Sequence, residues 1–157
     1  KIGFTRLSGE AAIYGRAFTD NLTAALRGRL GAVFGPDGAP PDRLFFAGGG
    51  GSVRGYEYQS LSPRNAAGDL IGGRSIAETS AELRWRYSNS LGFVGFVDAG
   101  ASGDSIEPAF EEMRAGAGFG VRYYAGFGPI DSDIAVPLDK REGDSDFQIY
   151  LSIGQAF

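Results

Sequence analysis

From Arg74 to Ser88 the chain alternates residue by residue. Glu78, Ser80, Glu82, Arg84 and Arg86 fall on one parity, and Ala77, Thr79, Ala81, Leu83, Trp85 and Tyr87 on the other. Strict period two predicts a β-strand, because successive side chains project to opposite sides. One face carries charges and the other none, which suits the solvent face of a soluble sandwich or the wet lumen of a barrel. Local pattern does not separate the two.

The same alternation recurs from Met113 to Tyr124, where Phe119, Val121 and Tyr123 oppose Arg114, Gly116, Gly118, Gly120 and Arg122. In Pro129 to Leu138, Ile130, Ile134, Val136 and Leu138 oppose Asp131, Asp133 and Ala135, with Pro137 at the strand margin. At the C-terminus Phe147, Ile149, Leu151, Ile153 and Phe157 share a face, interrupted by Gln155. Ile2 to Phe18 and Leu22 to Phe34 alternate more weakly, and Leu91 to Ala101 is apolar on both faces except for Asp98. About seven strands result, most longer than the usual 5–6 residues of a globular sheet. Short turns near Ser88–Ser90 and Gly126–Gly128 contrast with long connections at Gly35–Gly73, Ser102–Glu112 and Asp139–Asp146. That asymmetry, with strands long enough for a tilted crossing, predicts an all-β, antiparallel, up-and-down transmembrane β-barrel. An up-and-down barrel needs an even strand number to pair first with last. Seven strands therefore read as part of a larger barrel, and the opening at Lys1 without Met reads as a piece of a longer chain.

Composition narrows the chemistry. No apolar run approaches the roughly 20 residues of a membrane-spanning helix. The 26 glycines and 13% aromatic content favour β-structure. Without cysteine or histidine, disulfides, thiol nucleophiles, imidazole bases and the usual zinc ligands are all missing. A net charge of -4 argues against nucleic-acid binding. Asp131 and Asp133 share a strand face about 7 Å apart and read as acidic lumen lining rather than a metal site. The chain reads as a non-enzyme without cofactor.

Gly35 to Gly73 is a loop of about 39 residues, a length that is usually functional or disordered. Its Gly48–Gly51 run lacks the Lys-Ser/Thr of a phosphate-binding loop and reads as backbone freedom for a tight fold. Arg54 stands between Val53 and Gly55-Tyr56.

FFAGGGGSVRGYEYQSLSPR, GDLIGG, SAELRWRY, FVDAG, GAGFGVRYYAGFGPIDSDIAVPL and the terminal FQIYLSIGQAF occur in that order. Together they resemble the C-terminal barrel half of the BamA/TamA outer-membrane insertase superfamily, over about Leu44 to Phe157. RGYEYQSLSP, GDLIGG and GPIDSDIAVPL are closer to the TamA branch, the outer-membrane subunit of the translocation and assembly module. The resemblance implies a sixteen-strand barrel in the bacterial outer membrane, preceded by POTRA domains. Residues 1–157 would supply the C-terminal strands, with the POTRA domains and N-terminal strands outside the chain.

The resemblance also implies that residues 35–73 are extracellular loop six, folded into the lumen. Its motif, Val53, Arg54, Gly55 and Tyr56, would be latched by Arg54 to Glu82 and Asp98. Parity agrees: Glu82 lies on the charged face of its strand, and Asp98 is the single charge of another. A buried carboxylate requires a partner, and a guanidinium offers a donor fork that two carboxylates can share. The strand of Phe147, Ile149, Leu151, Ile153 and Phe157 is similar to a C-terminal barrel sorting signal. The implied function is insertion or translocation of β-barrel or autotransporter clients. Implied partners are outer-membrane lipid, unfolded clients and an inner-membrane-anchored TamB-like protein. Exposed strand edges would let the isolated fragment self-associate. Two alternatives remain: a two-partner-type secretion pore, or a passive barrel anchoring an upstream enzyme domain.

Overall fold

A computed structural model describes residues 3–36 and 39–154. Seven antiparallel strands run β1 (Thr5–Ala17), β2 (Thr19–Phe34), β3 (Ser75–Arg86), β4 (Leu91–Gly103), β5 (Arg114–Ala125), β6 (Gly128–Pro137) and β7 (Gln148–Ile153). They pair strictly in chain order, so the sheet is an up-and-down meander, and two short 3-10 turns at Pro41–Arg43 and Phe110–Glu112 are the only helical elements described. The alternation seen in the sequence survives as two faces. Leu26, Leu83, Trp85, Phe119, Ile134, Ile149 and Leu151 are exposed on the outer face. Glu78, Ser80, Glu82, Asp98, Arg122, Asp131 and Asp133 are buried on the inner one.

Tight turns at Phe18, Ser88–Ser90 and Gly126–Phe127 occupy one end of the sheet, and the three long connections the other. Phe18 takes the left-handed conformation (φ 60°) and projects outward, 99% exposed. Along the outer face above these turns, Trp85, Tyr87, Phe93 and Phe119 pack ring to ring, with centroids 5.4–6.1 Å apart. Aromatic girdles of this kind mark a membrane–water boundary.

The hydrophobic core lies between the inner face and the β2–β3 loop. Phe45, Ala47, Val53, Tyr56 and Leu61 of the loop pack on Val33 and Ile76 of the strands. A second cluster joins Val94, Phe96 and Ala135, flanked by Tyr150. Loop residues touch strands from β2 to β7, five strand spacings or roughly 24 Å if the sheet were flat, so the sheet must curl around the loop. At the C-terminus Phe147 precedes β7, and Phe157 lies outside the described residues.

Candidate functional site

Among its described residues the β2–β3 loop has no strand or long helix of its own, and local bonds hold its shape. Gly48 and Gly49 adopt φ of +107° and +100°, and a Cβ on Gly48 would lie 2.8 Å from the Glu57 carbonyl oxygen. Two amides of the glycine run are already engaged: Gly48 N–H donates to Ser52 Oγ (2.9 Å) and Gly49 N–H to the Val53 carbonyl (3.1 Å). Ser52 Oγ in turn bonds Glu78 of β3. Leu61 N–H returns to the Ala47 carbonyl (2.9 Å), and Ser102 N–H of β4 reaches the Leu61 carbonyl (3.1 Å). Among the described residues no group of His, Cys, Asp and Glu is placed to hold a metal ion.

This scaffold delivers Arg54 to the centre of the inner face, 5% exposed. Its Nε donates to Asp98 Oδ2 at 2.6 Å, and Nη2 to Asp98 Oδ1 at 2.9 Å and Glu82 Oε1 at 2.6 Å. Nη1 reaches Asp133 Oδ2 at 3.1 Å. Its backbone N–H also donates to Asp98 Oδ2 (3.1 Å), and the Phe96 ring lies under the guanidinium at 3.4 Å. One side chain thereby ties β3, β4 and β6 together.

The carboxylates have further partners. Arg84 Nε donates to Glu82 at 2.7 Å, and Ser80 Oγ donates to Asp98 at 2.6 Å. Arg122 holds Asp133 at 2.5 Å and lies 3.3 Å from Asp131. In a poorly hydrated interior such a network holds because Arg54, Glu82, Asp98, Arg122 and Asp133 are each paired and hydrogen-bonded, while Asp131 Oδ1 has the ion pair to Arg122 without a hydrogen bond.

Each residue of the motif has a separate physical reason. Val53 is fully buried, and a Cβ on Gly100 of β4 would come within 2.9 Å of its Cγ2. Gly55 has φ +104°, and a Cβ there would lie 2.7 Å from the Val136 carbonyl oxygen. Tyr56 OH donates to the Ala115 carbonyl (3.0 Å) and accepts from Asp139 N–H (3.3 Å). From β7, Tyr150 OH accepts the Gly55 N–H (3.0 Å) and donates to the Tyr56 carbonyl (3.0 Å). Tyr150→Phe should therefore leave a buried amide and carbonyl unsatisfied. The expected loss is about 1–3 kcal/mol, read as a lower unfolding midpoint of the full-length protein.

At the loop end, Arg141 donates to the Ser60 carbonyl (3.2 Å) while Asp144 grips its Nε and Nη2 at 3.0 and 2.9 Å. The hydrogen bond from Arg141 holds Asp144 below its ordinary carboxylate pKa. A depressed folded-state pKa stabilises above the unfolded value and is lost as pH falls through the folded one. This clasp should persist at neutral and mildly acidic pH and release only below the usual carboxylate range. Protease susceptibility of the loop against pH, compared with Asp144→Asn, checks it.

The structure brings Arg54, Glu82 and Asp98 together and adds Asp133, Arg122, Ser80, Phe96 and Tyr150, which the sequence did not mark as partners. Two signals were there to find them. The alternating Gly116, Gly118 and Gly120 leave the inner face of β5 bare, and a Cβ on Gly116 would collide with the Arg54 carbonyl oxygen. Tyr150 is the one large side chain on the inner parity of β7, beside Gln148 and Ser152. Ile149, Leu151 and Ile153 lie on the outer face, away from this network.

Residues 1–157 match the Omp85 superfamily domain. The outer membrane protein assembly factor BamA of Nitratidesulfovibrio vulgaris is 33% identical over 140 residues, covering 83% of this chain and 18% of that protein. BamA of Neisseria meningitidis serogroup B is 28% identical over 147 residues, covering 72% of this chain and 18% of its own length. The chain thus spans 18% of the length of each of these relatives. The crystal structure of BamA from Haemophilus ducreyi lacking POTRA domains 1-3 shares the fold with a TM-score of 0.75 at 23% identity, over 93% of this chain and 34% of that one. Matched along its whole length, the chain belongs to the Omp85 superfamily, outer-membrane β-barrel proteins of Gram-negative bacteria.

Proposed function

We propose that the protein containing this chain is an assembly factor that inserts or translocates β-barrel clients in the outer membrane. Superfamily membership carries this reading, and the two relatives named as outer membrane protein assembly factors support it. In it, residues 1–157 form the C-terminal part of a sixteen-strand barrel that follows POTRA domains. Residues 35–73 are the extracellular loop folded into the lumen, and Arg54 with Glu82 and Asp98 is the latch that holds it there. The latch stiffens one wall, so that opening is confined to strand edges elsewhere, where unpaired N–H and C=O groups can template a client strand.

The finer proposal is a translocation-and-assembly role with autotransporter clients and a TamB-like inner-membrane partner, resting on RGYEYQSLSP, GDLIGG and GPIDSDIAVPL. Phe147, Ile149, Leu151, Ile153 and Phe157 would serve as the protein's own assembly signal. The isolated chain would pair its β1 and β7 edges with a second copy, and a monomeric mass in a well-folded sample would remove that part.

The test is the full-length protein in liposomes with an unfolded β-barrel client. Faster client folding than in empty liposomes is expected. Ion conductance and export of one dedicated substrate, without faster folding, would replace the proposal with a secretion pore.

A further inference from the structure

The three long connections do not behave alike. The β2–β3 loop enters the inner face, whereas the β4–β5 connection turns the other way and lies on the outer face. Parity shows this. Ser75, Ala77, Ala101 and Gly103 have outward parity, continuing Thr79, Ala81, Val97 and Ala99, yet Ser75 is 0% exposed, Ala77 1% and Ala101 3%. Residues of the β4–β5 connection lie over this end of the face: Ser75 Oγ donates to the Glu107 carbonyl at 2.8 Å, and a Cβ on Gly103 would meet Ala109 Cβ at 2.8 Å. The connection is a strap that crosses β3 and reaches β2.

Beneath the far edge of the strap is an apolar groove of about 380 Å³. Its floor is Leu7 of β1 with Leu30, Ala32 and Phe34 of β2, and Ile106 and Pro108 of the strap form its wall. Ala32 supplies the depth, a small residue between two large ones. Its polar neighbours are strand backbone already paired in the β1–β2 ladder, where Leu7 faces Ala32 and Gly9 faces Leu30.

Height and continuity identify the occupant. The aromatic girdle around Trp85 and Tyr87 marks one boundary of the hydrocarbon layer, and about ten tilted strand residues cross that layer. About ten residues up β3 from Tyr87 is Ala77, which pairs with Leu30. The groove therefore sits at the opposite boundary, continuous with the lipid-facing surface of Leu26, Ile13 and Leu30. Water gains no hydrogen bonds in an apolar groove, while a lipid tail gains contact on three sides instead of one.

We propose that the groove between Leu7, Leu30, Ala32 and Phe34 and the overlying Ile106 and Pro108 holds an acyl chain of an outer-leaflet lipid. The strap makes the site, since without Ile106 and Pro108 the same strand face is an open wall in contact with bulk lipid.

A nitroxide on Ile106→Cys of the full-length protein in phospholipid bilayers tests this, through collision with lipid-soluble oxygen and with a water-soluble nickel chelate. The oxygen-to-nickel ratio should be several-fold higher than for the exposed loop position Asp146→Cys. Spectra with spin-labelled phospholipid should show a motionally restricted lipid fraction that falls when Ala32→Phe fills the groove. A nickel-dominated ratio at Ile106 would place the strap in water and overturn the proposal. A high ratio with a restricted fraction unchanged by Ala32→Phe would show contact with bulk lipid only, and overturns it equally.

Discussion

Replacing Arg54 with Ala should destabilise the loop-bound state by about 3–5 kcal/mol, the usual consequence of removing one partner from a buried ion pair. The damage is unequal among the three carboxylates. Glu82 keeps Arg84 at 2.7 Å and Asp133 keeps Arg122 at 2.5 Å. Asp98, 1% exposed, keeps the Ser80 hydroxyl at 2.6 Å and the backbone N–H of residue 54 at 3.1 Å, but no cation. Asp98→Asn in the Arg54→Ala background should therefore recover part of the loss, whereas Glu82→Gln should recover little. Arg54→Lys should fall between wild type and Ala, because one ammonium cannot reproduce a fork whose three nitrogens reach three strands. The unfolding midpoint of the full-length protein and tryptic cleavage at Arg64 give the two readouts. Equal stability of Arg54→Ala and wild type would mean that the network is dispensable.

Gly116→Ala should act as strongly through shape alone. The added Cβ collides with the Arg54 carbonyl oxygen, a backbone atom with no rotamer to move into. Overpacking typically costs about 1–3 kcal/mol, and a backbone obstacle puts this site at or above the upper end. The strands have no reason to separate, since Gly116 pairs with Asp98 and Pro137 in an intact ladder. The loop should lift from β5 and become protease-sensitive while the sheet stays folded. Gly95→Ala is the control: it lies on the outer parity of β4 with nothing within 4 Å of the added carbon, and should change neither readout. Matching behaviour of the two variants would mean that the bare face of β5 is not a seat for the loop.

Much of the fold was legible because a strand writes its two faces locally. Glu78, Ser80 and Glu82 announced a polar face, and Leu83 and Trp85 an apolar one, without reference to any other segment. The loop carrying Arg54 was legible as a motif and not as a shape, because its form depends on the surfaces it packs between. Asp133 shows the limit. Its parity was plain, and it read as ordinary acidic lining. Its place beside Arg54, 79 positions earlier, follows from the stagger of β4, β5 and β6. The glycines of β5 were visible as a pattern, but their purpose requires the carbonyl that lies over them.

By itself, then, the sequence determined the seven strands, which side of each is polar, and the uneven turns and loops. These depend on period two, on chain punctuation and on residue chemistry, all local quantities. Only the tertiary structure decided that Asp133 and Arg122 complete the arginine's network, that Tyr150 ties β7 to the motif, and that the β4–β5 connection straps the outside. Those outcomes depend on which residues reach the same height on neighbouring strands, and ladder pairing between distant segments sets that height.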